Sequence, residues 1–110
     1  MKFKLRTDCC KIGIYKCSVS IEIPNHMKDY KYNRIKAGLS SKINIDECIL
    51  KEIKYLWKNG IKTYGSCCGH GIKHSWVNVD ESDFVNIENL GYEKLYNNEN
   101  NFTYKLKFVY

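Results

Sequence analysis

Apolar residues recur along this chain with two different periods, and the order in which the periods alternate sets out a sheet with helices against it. Phe3 and Leu5 alternate with Lys2, Lys4 and Arg6, the pattern of a short strand with one buried face. Cys17, Val19, Ile21 and Ile23 alternate with Ser18, Ser20 and Glu22 until Pro24, which has no N–H to give a ladder, ends the run. Residues 25 to 43 show no clear period and read as a solvated loop. Asn44-Ile45-Asp46-Glu47 then supplies a cap and first-turn acids. Ile45, Ile49, Ile53, Leu56 and Trp57 follow at helical spacing until Asn59-Gly60 closes the helix.

Residues 61 to 66 read as a strand that runs directly into Cys67 and Cys68. Trp76-Val77-Asn78-Val79 is a further strand, and Asp80-Glu81-Ser82-Asp83 caps a short helix with Phe84, Ile87 and Leu90 inward and Gly91 at its end. A final hairpin spans residues 92 to 96 and 102 to 110 around an asparagine-rich turn. Its stripe of Phe102, Tyr104, Leu106, Phe108 and Tyr110 reads as core rather than as a stacking platform. The pattern predicts one small α+β domain over residues 1 to 110, with about two helices packed on a mostly antiparallel sheet and a metal-binding loop.

Composition changes this picture in one respect. The formal charge is +6, but lysine outnumbers arginine sixteen to two and alanine appears once, the bias of an AT-rich genome rather than a nucleic-acid signature. The distribution says more than the sum: residues 1 to 79 carry fifteen basic and six acidic side chains, whereas 80 to 101 carry one basic and six acidic. Lys28, Lys31, Arg34, Lys36 and Lys42 interleave with Tyr30 and Tyr32, a composition suited to tracking a phosphate backbone and stacking on bases. It identifies no partner; a protein, or nucleic acid held weakly through residues 28 to 42, is the contact such a segment could make. His26, beside Pro24, reads as a surface residue. The charged opening segment lacks the apolar run of a signal peptide, and no later run approaches a membrane span, so a cytoplasmic protein with no membrane partner is expected.

Candidate chemistry concentrates in Ser66-Cys67-Cys68-Gly69-His70-Gly71, where two soft thiols and an imidazole fall within four residues. With no export signal, the six cysteines read as thiols or metal ligands rather than a disulfide framework. Helix and strand lengths add a fourth residue. Cys48 stands roughly 15 Å from the end of its helix, at about 1.5 Å per residue, and the strand back to Cys67 covers roughly 20 Å at about 3.3 Å per residue. A tight turn at Gly60 makes the two antiparallel, which returns Cys67, Cys68 and His70 to Cys48 at the positive end of the helix dipole. The Cys9-Cys10 pair has no periodic reason to exist and offers a further ligand. The set read here is Cys10, Cys48, Cys68 and His70, with Cys67 the main substitute, and sulfur with imidazole suits Zn2+. Cys17 points to an apolar face and reads as a small buried hydrophobe. The close cysteine triplet of iron–sulfur proteins, a Walker loop, a dinucleotide fingerprint and a serine-hydrolase elbow are missing from the sequence.

The succession Ile45-Asp46-Glu47-Cys48-Ile49, Glu52-Ile53, Leu56-Trp57, Gly60-Ile61-Lys62-Thr63, Ser66-Cys67-Cys68-Gly69-His70-Gly71 and Leu90-Gly91-Tyr92 resembles a group of small proteins from clostridia, related Firmicutes and their phages. The resemblance covers roughly residues 44 to 92 and implies a source of that kind and a metal site, without an activity to carry over. Ser66-Cys67-x-Gly69 is more faintly similar to the motif of tRNA wybutosine-pathway methyltransferases, where an arginine stands in the position of His70. Three functions follow as expectations. The first is a small zinc-stabilised binding or accessory protein, the second a metal-dependent hydrolase of a nucleotide or phosphoester with His74 or Glu52 as base, and the third a nucleic-acid binder.

Overall fold

A computed structural model describes residues 18–68, 75–95 and 102–107. Its first pair of strands is β1 (Ser18–Glu22) and, after the helix α1 (Lys28–Lys36), β2 (Lys42–Asp46). They run antiparallel, with Val19 opposite Ile45 and Ile21 opposite Ile43. Ile43 and Ile45 are buried while Lys42 and Asn44 are exposed, the period of two that a half-buried strand requires. Ile45 therefore belongs to the strand and not to the helix expected from residue 45 onwards. An isoleucine satisfies both periods at such a junction, and pairing with β1 decides between them.

The loop expected over residues 25 to 43 is corrected to a 3-10 turn (Asn25–Met27), α1 and the start of β2. None of the nine residues of α1 is buried, which is why no apolar period announces it. Polar contacts hold it in place. Lys31 Nζ lies 2.6 Å from the Glu22 carboxylate, and the Arg34 guanidinium donates to the carbonyls of Ser40 (3.1 Å) and Lys42 (3.3 Å). Tyr30 sets its ring edge-on against Tyr64, centroids 4.9 Å apart. The helix closes on Gly38, whose φ of 83° lets Leu39 N–H reach the Arg34 carbonyl at 2.8 Å.

The second helix, α2 (Glu47–Lys58), buries Ile49, Glu52, Ile53 and Leu56 along one face and ends at Gly60 as the sequence predicts. From there the chain enters β3 (Thr63–Cys67), which pairs with β4 (Trp76–Val79). A 3-10 turn (Glu81–Asp83) and α3 (Phe84–Asn89) follow, and β5 (Thr103–Lys105) returns along β4, giving the order β3-β4-β5. Residues 93 to 95 lie along β5: Leu95 N–H donates to the Thr103 carbonyl at 2.8 Å and Lys105 N–H to that of Glu93 at 2.9 Å. Of the predicted aromatic stripe, Tyr104 and Leu106 are buried while Phe102 is 39% exposed; Phe108 and Tyr110 lie outside the described residues. The α+β class is thus observed; among the described residues there are three α-helices in place of about two and two antiparallel sheets in place of one. Both pack on one apolar cluster that includes Ile45, Ile49, Leu56, Val77 and Tyr104. The strand expected at Phe3 and Leu5 lies outside the described residues.

Candidate metal centre

The helix α2 and the strand β3 are tied to each other at both ends. Near Gly60, Trp57 Nε1–H donates to Thr63 Oγ1 at 2.8 Å. At the far end, Cys68 N–H donates to Asp46 Oδ2 at 2.9 Å. Asp46 stands at the N-cap position of α2 without capping it by a side-chain hydrogen bond; its carboxylate receives the chain as it leaves β3 instead. The return of the motif to the start of the Cys48 helix, expected from the two element lengths, is therefore present for Cys68. Cys68 is 1% exposed, while Cys67 and Cys48 are half-buried. Cys67 sits opposite Trp76, the last pair of β3 and β4 on that side.

The cysteines differ in state. Cys67 and Cys68 carry thiols, whereas Cys48 is disulfide-bonded. That differs from an all-thiol ligand set. A disulfide sulfur carries no charge for a cation, so metal binding at Cys48 requires that bond to be reduced. Cys10 and His70, with Cys9, Cys17 and His74, lie outside the described residues. Among the described residues no three His, Cys, Asp or Glu side chains converge on one point as metal ligands would.

Glu52, one helical turn beyond Cys48, is 0% exposed. Its Oε2 accepts from Tyr92 Oη (2.8 Å) and from Lys107 N–H (2.8 Å), so this carboxylate clips the C-terminal segment to α2. It has no access to solvent water and is not placed as the base a hydrolase would need. The spacing Ile49, Glu52, Ile53, Leu56 already puts Glu52 on the buried face.

Sequence reasoning missed a second polar cluster, between β3 and the acidic turn. Tyr64 Oη donates to Asp80 Oδ1 at 2.5 Å, and Ser82 donates to Asp80 Oδ2 through both its N–H (3.0 Å) and its hydroxyl. The Ser82 hydroxyl, with that of Tyr64, holds the Asp80 carboxyl below the usual carboxylate range. Burial, with the neighbouring Asp80, pushes the Tyr64 phenol well above its ordinary value. Asp83 is buried beside them, accepting from Lys62 N–H at 2.8 Å and lying 3.3 Å from Lys62 Nζ. The acidic run signalled a cap for the helix that follows; Asp80 caps the 3-10 turn before α3, whose own N-cap Asp83 makes no side-chain cap bond, and nothing in the run signalled the partner Tyr64, sixteen residues upstream. His26 is exposed, and its Nε2–H donates to the Ile61 carbonyl at 2.9 Å.

What fold and site define is a small α+β domain whose cysteine-bearing hairpin returns to the N-terminal end of a central helix. Set against known proteins, the chain matches no family model, no curated protein and no solved structure. Among the described residues no helix is long and apolar enough to cross a membrane.

Proposed function

We propose that this chain is a small zinc-binding protein in which the metal is structural. Its ligands are Cys48, His70, Cys68 with Cys67 as substitute, and Cys10 from the N-terminal segment. The observation that carries the reading is the pair of hydrogen bonds tying α2 to β3, Trp57 to Thr63 at one end and Asp46 to Cys68 at the other. They hold the start of the Cys-Cys-Gly-His-Gly loop against the first turn of the Cys48 helix. Four protein ligands close a tetrahedral shell and leave no position for a reactive water, which makes such a metal a folding element. Zinc and the Cys48 disulfide are then alternative states of one sulfur, selected by the redox conditions. The role is that of a binding or accessory protein of the clostridial and phage group that residues 44 to 92 resemble, in a cytoplasmic setting.

The hydrolase reading loses one of its two candidate bases, since Glu52 is enclosed in the core. The nucleic-acid reading is weakened in its basic segment, where Lys31 and Arg34 are engaged within the chain and Tyr30 packs on Tyr64; Tyr32, 63% exposed, remains outward. Elemental analysis of protein purified under reducing conditions without added metal tests the proposal. About one zinc per chain is expected, and a metal-free, fully folded, fully reduced monomer would overturn it.

A further inference from the structure

Three aromatic rings meet the acidic end of the molecule. Tyr64 of β3, Phe84 at the start of α3 and Phe102 just before β5 line a depression of about 340 Å3, together with Val79, Asp80 and Glu81. That volume lies at the small end of ligand sites, which run from about 300 to 1,000 Å3. Phe102, an apolar ring left 39% exposed, opens this wall to solvent.

The depression carries negative charge. Asp80 is held in its ionised form by Ser82 and Tyr64, and Glu81 is exposed beside it. Lys62, whose charge reaches Asp80, is paired with Asp83 at 3.3 Å, so Asp80 and Glu81 set the sign of the site. Burial, together with the bond its hydroxyl donates to Asp80, keeps the Tyr64 phenol neutral. Ring and cation already meet within this fold: Lys94 Nζ lies 4.4 Å from the Phe84 centroid and 6.0 Å from that of Tyr104. Lys94 belongs to the adjacent depression, with Glu88, Tyr92, Glu93 and Lys105.

The kind of cation follows from which lone pairs are in use. Asp80 Oδ1 accepts from Tyr64, and Oδ2 accepts twice from Ser82. Both Asp80 oxygens are thus engaged within the chain, and the rest of the wall is the Glu81 carboxylate with the side chains of Val79, Tyr64, Phe84 and Phe102. A primary ammonium or a metal ion gives up strong hydration that only vacant acceptors replace. A methylated ammonium is weakly hydrated, needs no acceptor, and is the cation that aromatic cages take up best. We propose that the Tyr64–Phe84–Phe102 depression binds a methylated ammonium group, as found in small quaternary amines and in methylated lysine side chains.

The full-length protein is titrated with tetramethylammonium chloride while the aromatic proton resonances of Tyr64, Phe84 and Phe102 are followed by NMR. tert-Butanol, of the same shape but neutral, and sodium chloride at matched ionic strength serve as controls. Saturable shifts with the cation alone are expected. Phe102→Leu and Glu81→Gln, both at exposed positions, should each weaken binding about two- to fivefold, the worth of one exposed cation–π or charge contact. Trimethyllysine free and within a short peptide then separates the sources: equal affinity assigns the site to a small amine, tighter binding of the peptide to a protein tail. Equal responses to tetramethylammonium and tert-butanol, or no saturation beyond that of sodium chloride, would overturn the proposal.

Discussion

Removing the Glu52 carboxylate should destabilise the domain more than any surface substitution, because two donors are left facing the space it fills. In Glu52→Ala the Tyr92 hydroxyl, on a buried ring, loses its 2.8 Å acceptor, and an unsatisfied buried donor costs about 1 to 3 kcal/mol. Lys107 N–H loses its acceptor too, but the residue is exposed and water can replace part of that bond, so its share is smaller. A loss of about 2 to 4 kcal/mol follows, a large part of the roughly 5 to 15 kcal/mol by which domains are stable. Urea denaturation reads it as a midpoint lowered by about 1 to 3 M. Glu52→Gln keeps an acceptor oxygen in place and should cost about half as much or less. An alanine variant within about 0.5 kcal/mol of the parent, the ordinary range for surface sites, would refute the clip between α2 and the C-terminal segment. Glutamine and alanine variants that both fold normally yet lack a hydrolytic activity the parent shows would return Glu52 to the role of base.

His70→Ala should lose zinc and melt at a lower temperature than the reduced, zinc-loaded parent, since a structural metal contributes folding free energy directly; a folded variant that keeps its zinc would remove His70 from the ligand set. Asp80 titrates below its ordinary value of 3.8 in the folded chain, so its contribution is present above about pH 4 and lost as pH falls further, and Asp80→Asn should flatten that acid limb. The Tyr64 phenol is raised above its ordinary value of 10.0, so its contribution is present below that pH and lost as pH rises above it. Tyr64→Phe should flatten the alkaline limb in thermal melts, and an unchanged limb in either variant would count against the Tyr64–Asp80–Ser82 cluster.

Elements that bury an apolar face were readable from the chain. Trp76 to Val79 is the predicted strand residue for residue, and α2 stops where Asn59-Gly60 says it should. α1 was not readable because none of its residues is buried: it is held by polar contacts to Glu22, Ser40 and Lys42 and by the edge of the Tyr30 ring against Tyr64. Ile45 fitted two periods at once, and a long-range pairing chose between them. At the candidate centre the lengths of α2 and β3 were enough to bring Cys68 to Asp46. The disulfide state of Cys48 was not legible, since spacing says which cysteines can meet and not which bond they form.

α1 also divides the domain thermodynamically. With none of its residues buried, and with Tyr30 its partly buried contact to the core, α1 is expected to open locally at a lower free energy than the whole domain. Lys31, Arg34 and Lys36 would then open with α1 before β1, β2 and α2 do. Whatever docks there meets an element whose ordering it must itself help to supply, which keeps affinity modest and dissociation fast.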